Sequence, residues 1–461
     1  RIIARESPTS AVIGCIDSQD GHLYNAAAVI QDNTITGIQH KILLPNYDVF
    51  DERRYFNPGE TQQLFMIHGH RIGIEICEDL WEQEYEDKPT SHLLDMGAEI
   101  IINISASPFC LGKAEERISL ARSYGAPSLF VYCNLVGGQD ELIFDGQSFI
   151  LQNGIPVRIG RPFQEDTFVI DSDISYSPVV FTSGEQESLF RALTLGLKDY
   201  CKKNHFEDVV FGLSGGIDSS LVACIAVEAV GAQNVTALFM PSQYTSSESR
   251  EDAHVLAQNL GISLATLPID DILSMYKTVL NPVFSGLAED VTEENIQARI
   301  RGNLLMAYSN KFGHLVLPTG NKTELALGYC TLYGDMSGGL AVIGDVSKTQ
   351  VYELAHYYNG VKGESIVPER VFSRLPSAEL REGQVDPFDY PVVSPLVDLI
   401  IEERMSQSEL IGLGYEPELV FDIMKRIHSN EYKRRQAAPV LKVTKKAFGG
   451  GRRFPIANQY L

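Results

Sequence analysis

Two short stretches of this sequence concentrate residues able to do chemistry. FGLSGGIDSS, residues 211–220, follows an apolar run and opens a helical one. Glycines at 212, 215 and 216 let the backbone approach a phosphate closely, and free N–H groups at a helix start point at it. Asp218 can hold a divalent cation that bridges phosphates, while Ser214 and Ser219 offer hydroxyl donors. No Gly-Lys-Ser/Thr follows, so this is not the lysine-containing phosphate loop. The second stretch, RIGIEICEDLW at 71–81, runs an alternating strand into Cys77 at a turn. A cysteine at a strand end can be exposed and activated by a neighbouring cation or base. Cys15, Cys110, Cys133, Cys201, Cys224 and Cys330 lack such a context and read as buried, inert side chains.

The elements that must carry these residues differ between the two halves. Up to about residue 178 the chain shows short apolar runs bounded by Gly, Pro and Asn, such as SAVIGCID, AEIIINIS and SLFVYCN, with few helical stretches, chiefly 91–96 and 113–124. That pattern implies a strand-rich α/β sandwich. A polar segment around 171–186 contains Pro178 and Gly184, and the linker is placed within it at 179–184. From 185 to 203 apolar residues recur at helical spacing. Beyond, strands at DVVFGLS, NVTALFMPS, SLATLPI and HLVLPTG alternate with helices, among them 247–260 and a long one from 293. Such alternation implies a doubly wound parallel sheet. The chain is therefore read as α/β, with domains at 1–178 and 185–461.

Composition bounds the function. The 461 residues are 44% hydrophobic and 21% charged, enough to bury sizeable cores. Lys and Arg number 38 against 60 Asp and Glu, a net charge of −22 that disfavours phosphate backbones and anionic membranes. No apolar run is long enough to span a bilayer. Seven scattered cysteines form neither a disulfide framework nor a zinc pattern, which places the chain in a reducing, cytoplasmic setting.

SGGIDSS resembles the loop of the ATP pyrophosphatases, which cleave ATP between the α and β phosphates and adenylate a substrate. Further on come ENIQARIR (294–301), TGNKTE (319–324), Tyr333-Gly334-Asp335, Ser347-Lys348 and NEYKRRQ (430–436). In this order they look like NAD synthetase, over residues from about 185 to the end. The resemblance implies that Gly212, Leu213, Ser214, Gly215, Gly216, Ile217, Asp218 and Ser219 cradle ATP together with Thr319 and Lys348. It implies that Asp218 and Glu324 hold magnesium, and that Asn295, Glu324, Asp335 and Lys446 contact deamido-NAD. The basic tail LKVTKKAFGGGRRF, 441–454, fits a short loop over a dinucleotide pyrophosphate better than a nucleic-acid patch.

The first half resembles the nitrilase-type amidase domain of glutamine-dependent NAD synthetases. HKILLPNY (40–47), VFDERRYF (49–56), the Cys77 strand, NLVGG (134–138) and Phe144-Asp145-Gly146 carry that likeness. The resemblance implies an α-β-β-α sandwich in which Cys77 attacks the carboxamide of glutamine and Lys41 stabilises the oxyanion. Tyr47, Ser107 and Lys113 match glutamine-holding positions, and Glu52 matches an orienting glutamate. Nitrilases also use a general-base glutamate well before the lysine. Only 40 residues precede Lys41, Glu6 lies in a segment unlike the family's, and no Met opens the chain, so the domain is expected to be incomplete at its start and no base is assigned.

The expected function is thus ATP-dependent amidation of deamido-NAD through an adenylated carboxylate, with ammonia from glutamine, in a homo-oligomer without nucleic-acid or membrane partners. Two rivals stand beside it. One is an ammonia-only synthetase with an inactive amidase scaffold; the other is a tRNA-modifying adenylating enzyme.

Overall fold

A computed structural model describes residues 9–125, 127–181 and 184–457. Glu6 and linker positions 182 and 183 lie outside the described residues. Two compact units form: Arg1–Gly137 with Phe144–Gly184, and Gly138–Ile143 with Glu185–Leu461. The second therefore takes in a short segment that precedes the expected linker. There the Gly138 amide donates to Asp199 Oδ2 at 2.8 Å, and the Lys442 amide donates to the Glu141 carbonyl at 2.8 Å.

In the first unit a three-stranded antiparallel sheet, Ala11–Gln19, His22–Gln31 and Thr34–His40, stacks on a six-stranded mixed sheet. The larger sheet runs in the order Ile155–Ile159, Phe149–Gln152, Leu129–Asn134, Ile100–Ser105, His70–Ile76, Leu64–Ile67, with its three middle strands after Phe149–Gln152 parallel to one another. Ala27, Val29, Phe65, Ile74 and Ile76 fill the space between the sheets. The opposite face packs Leu80, Leu93, Ile101, Ile118 and Phe130 with the helices Pro89–Asp95 and Lys113–Ser123. Burial on both faces explains why the central strand Ile100–Ser105 opens on three consecutive Ile.

The second unit carries a four-stranded parallel sheet in the order Ser263–Thr266, Val235–Phe239, Val209–Gly212, Leu315–Val316. Val210 and Leu238 meet Ile296 and Ile300 of the helix Val291–Phe312 on one face. Val209, Phe211 and Ala237, the alternate positions, are fully buried on the other. Winding reverses between the strands ending at Gly212 and Val316, where crevices form at the carboxyl ends of such sheets. A helical cluster of Leu396, Val397, Ile400, Val420 and Ile423 completes the unit. Among the described residues no helix is long and apolar enough to cross a membrane.

Four cysteine readings need correction. Cys133 is exposed because β alternation turns it away from the packed face, and Cys15 because it lies in the exposed run 14–16 of an edge strand. Cys110 and Cys330, on loops, are half-buried; Cys201 and Cys224 are buried. All seven thiols are free.

A buried ion pair braces the first unit. Arg117 and Asp145, 1% and 0% exposed, meet at 2.8 Å, and Arg117 also donates to the Ser107 and Pro108 carbonyls. Arg117→Met strands the Asp145 carboxylate and is expected to cost about 3–5 kcal/mol in urea unfolding. Arg191→Met breaks only the exposed 3.0 Å pair with Glu187 and should shift stability by less than about 1 kcal/mol.

Candidate functional site

The strand His70–Ile76 delivers Cys77 into a one-turn 3-10 segment, Cys77–Leu80, with φ +49° at Cys77. A residue with a Cβ is uncommon in this left-handed region, and such strain persists only where the surroundings hold it. They do so from both sides. The Ile76 amide donates to Asp79 Oδ2 at 3.0 Å, and Asn103 Nδ2 reaches the Cys77 carbonyl at 3.4 Å. Asn103 is itself held by Glu75 Oε1 at 2.9 Å. Glu75 is fully buried, and its carboxyl is pushed up to about 8 by that burial.

Lys41 follows the strand Thr34–His40, is 1% exposed, and donates to Glu52 Oε1 at 2.6 Å. Glu52 Oε2 is buried and has no hydrogen-bond partner among the described residues. Burial pushes the Cys77 thiol up, and the facing Lys41 ammonium offsets part of that rise. Burial works against the Lys41 charge, but Cys77 and Glu52 outweigh it and hold its pKa above the ordinary value. Lys41 is thus a fixed cation beside a thiol.

Tyr47 donates to Glu78 Oε1 at 2.9 Å, as does Tyr85. Glu78 is raised by burial and also feels Lys41 and Lys113, so these groups surround the turn that bears Cys77. Lys113 lies 3.5 Å over the Trp81 ring and 3.0 Å from Glu116. Ser107 is buried and immobilised: its amide donates to Asn134 Oδ1 at 2.9 Å and its Oγ accepts from Arg117 Nε at 3.1 Å. Glu78 escaped the sequence reading although it adjoins Cys77, because its partners lie at 47, 85 and 113.

In the second unit the loop after Gly212 opens the helix Ile217–Val230. Gly215 has φ +81°, and a Cβ there would sit 2.3 Å from the Ser249 carbonyl oxygen, so glycine is required on two counts. Ser214 Oγ and Ser219 Oγ lie 3.1 Å apart, and Ser214 Oγ accepts from the Gly216 amide at 3.2 Å. Lys348 Nζ lies 2.5 Å from Asp218 Oδ2 and 3.3 Å from Glu324 Oε1. Asn321 Nδ2 donates to Asp218 Oδ1 at 2.7 Å. Burial and the Asp218 carboxylate push Glu324 up to about 8.

Beside the loop lies a cavity of about 350 Å³. Gly212, Leu213, Ser214, Thr319, Asn295 and Asp335 all line it. Thr331 bridges the last two, its Oγ1 donating to Asn295 at 2.7 Å and its amide to Asp335 Oδ1 at 2.6 Å. Glu324 instead lines an adjoining cavity of about 20 Å³ that Asp335 shares. Gly215, Gly216, Ile217, Asp218, Ser219 and Lys348 do not line the larger cavity; Asp218 faces Asn321 and Lys348 instead. Lys446 is half-buried and is also absent from the wall. Arg301, quoted in the sequence but given no role, does line it; burial pushes its guanidinium down to about 10.

A family model of NAD synthase matches residues 189–437, and one of carbon-nitrogen hydrolases matches 1–177. The chain is 45% identical, over 99% of its length and 86% of the relative's, to a glutamine-dependent NAD(+) synthetase of Thermotoga maritima. The chain belongs to the glutamine-dependent NAD(+) synthetase family. A relative of that name in Synechocystis is 46% identical over 95% of this chain and 82% of its own. The structure of glutamine-dependent NAD+ synthetase from Acinetobacter baumannii, in complex with ADP, superposes with a TM-score of 0.76 at 39% identity, covering 99% of this chain and 86% of that one. The fold class is therefore that of the family: a nitrilase-like sandwich followed by a parallel-sheet synthase domain.

The Lys41–Cys77 pairing can be tested without a substrate. Lys41→Met removes the charge that offsets burial, so iodoacetamide labelling of Cys77, read by peptide mass spectrometry, should need a higher pH. At neutral pH it is expected to slow by about tenfold or more, one pKa unit being a tenfold change in thiolate.

Proposed function

We propose that this chain amidates deamido-NAD to NAD at the expense of ATP, using ammonia that its first unit frees from glutamine. The observation that carries the reading is the coexistence of two chemistries in one chain: a strained Cys77 facing Lys41, and a glycine loop whose Asp218 shares Lys348 with Glu324.

In the first reaction the Cys77 thiolate attacks the glutamine carboxamide carbon. Lys41 sits where negative charge develops on the oxygen, the proton given up by the thiol passes to the departing nitrogen, and the carbon–nitrogen bond breaks so that ammonia leaves. The thioester that remains is hydrolysed by water to glutamate, returning the thiol. Tyr47, Ser107 and Lys113 would hold glutamine, with Glu52 orienting Lys41. In the second, a nicotinate carboxylate oxygen attacks the α-phosphorus of ATP and pyrophosphate leaves. Ammonia then adds to the activated carbonyl and AMP departs, since oxide would be too poor a leaving group.

Gly212, Leu213, Ser214 and Thr319 would meet ATP from the cavity side. Gly215, Gly216, Ile217 and Ser219 would form the back of the loop, and Lys348 would add positive charge. Asn295, Glu324, Asp335 and Lys446 would contact deamido-NAD. Asp218 and Glu324 are carboxylates on adjacent elements with one ammonium between them, a donor set that suits a hard cation. Among the described residues no three His, Cys, Asp or Glu gather to cage a metal, so magnesium held by these two would take its other ligands from phosphates and water. When bound it supplies charge neutralisation that lets a carboxylate approach the α-phosphate.

Two variants separate the chemistries. With ammonium, ATP and deamido-NAD supplied, Cys77→Ala should retain NAD formation within about threefold while glutamine-driven formation falls by at least about 10²-fold. Asp218→Ala should abolish NAD formation from either nitrogen source. Loss of both activities in a folded Cys77→Ala protein, or an Asp218→Ala protein that still releases pyrophosphate at the parent rate, overturns the corresponding half of the reading.

A further inference from the structure

Asp79 is a buried carboxylate that the reaction outlined above does not use. It is 1% exposed, and its two oxygens are spent on backbone amides from segments about 34 residues apart. Oδ1 accepts from Ile42 at 3.1 Å and Leu43 at 2.8 Å, the two residues that follow Lys41. Oδ2 accepts from Ile76 at 3.0 Å, the residue that precedes Cys77. The Ile42 amide belongs to the peptide unit that carries Lys41, and the Ile76 amide lies one peptide unit before Cys77, so the backbone leading to each reacting side chain is fastened to one carboxylate. Other bonds secure its surroundings: Thr90 Oγ1 donates to the Asp79 carbonyl at 3.1 Å and to Glu75 Oε2 at 2.8 Å. The Lys41 backbone is held on both sides, its amide by the Asn25 carbonyl at 2.8 Å and its carbonyl by the Gly59 amide at 2.7 Å.

We infer that Asp79 is the positioning residue of the first unit's thiol chemistry, setting the separation and aim of Lys41 and Cys77 through the backbone of each. The inference rests on the proposed role of Cys77 as nucleophile, and it goes beyond that role by naming what fixes the pair. Cys77 needs the help: burial alone works against its thiolate, the facing groups Glu52 and Glu78 work in the same sense, and Lys41 is the cation that opposes them. A displacement of about 1 Å between reacting groups can cost about 10²-fold in rate. The hydrogen bonds to Asp79 are charge-assisted, and those from Leu43 and Ile76 are buried, so they resist such a displacement better than neutral ones would. Asn at this position keeps one acceptor oxygen and can hold one of the two segments; Ala holds neither.

The experiment uses the full chain and three readouts: glutamine hydrolysis, the pH profile of Cys77 labelling by iodoacetamide, and ammonium-dependent NAD formation to normalise for folded protein. Asp79→Asn and Asp79→Ala are expected to lower kcat for glutamine by at least about 10²-fold, with KM within about threefold. The pH midpoint of labelling should rise, as in Lys41→Met. In the Lys41→Met background Asp79→Asn should add little, because residues acting through one arrangement are not additive. A merely structural role predicts the opposite labelling result, since a loosened turn exposes the thiol and speeds labelling at every pH. Faster labelling, an unchanged midpoint, or effects that multiply in the double variant would overturn the inference. The labelling arm needs no glutamine. A parent chain that hydrolyses none would therefore overturn the amidase reading, while the midpoint would still decide the role of Asp79.

Discussion

One buried ammonium holds the second unit's chemistry together. Lys348, 3% exposed, opens the helix Lys348–Lys362 and reaches Asp218 at the start of one helix and Glu324 in another. Burying an isolated cation, or either carboxylate alone, is costly; the cluster is tolerable because the charges are paired and further bonded, as Asp218 is by Asn321. The glycine loop is thereby tied to a segment more than a hundred residues away. Its helix keeps its orientation because the charge it carries has nowhere else to be neutralised. Even so, two carboxylates share one ammonium, and Glu324 responds by holding its proton more tightly than a free carboxyl does.

The first unit solves the same problem in the same way. Lys41 is nearly inaccessible, and its charge is tolerated because Glu52 lies at 2.6 Å with the Cys77 thiol nearby. The price of holding Cys77 in a left-handed conformation is met by a layered set of bonds from Asp79, Asn103 and Glu75. Next to the second site the device recurs at Lys322, fully buried among Asp345, Asp398 and Glu402, where it anchors the segment around Thr444. Paired burial of charge is how this strongly acidic chain orders long connections without disulfides.

Much of the fold was legible in the sequence. The helices Glu185–Lys203 and Ser247–Leu260 lie where amphipathic spacing puts them, the latter opened by a Ser246 side chain that accepts from the Ser249 amide. The helix Asp270–Phe284 went unread because it exposes Met275, Val279 and Val283, blurring the alternation of faces that marks a helix. HLVLPTG reads as a long strand, yet only Leu315–Val316 is strand; the Leu317 amide makes a last bond to the Val210 carbonyl at 2.9 Å, and Pro318 and Thr319 leave the sheet to wall the cavity.

For the sites, residue types and short spacings were enough to single out the glycine loop and Cys77, since both signals are local: small residues before a helix, and a cysteine ending an alternating strand. Family likeness extended that reading to Lys41, Asn295, Thr319 and Asp335. Glu78, Asp79, Asn103 and Asn321 could not be found this way. Each is an ordinary polar residue in the sequence and acquires its role through partners 26 to 103 positions away, which strand pairing and buried charge bring within hydrogen-bond distance. The chain's local pattern determined which chemistry was available and on which elements it would ride. Only the tertiary structure decided which carboxylate faces which cation, because that depends on the register of strands and the desolvation of charges, and neither is written at any single position.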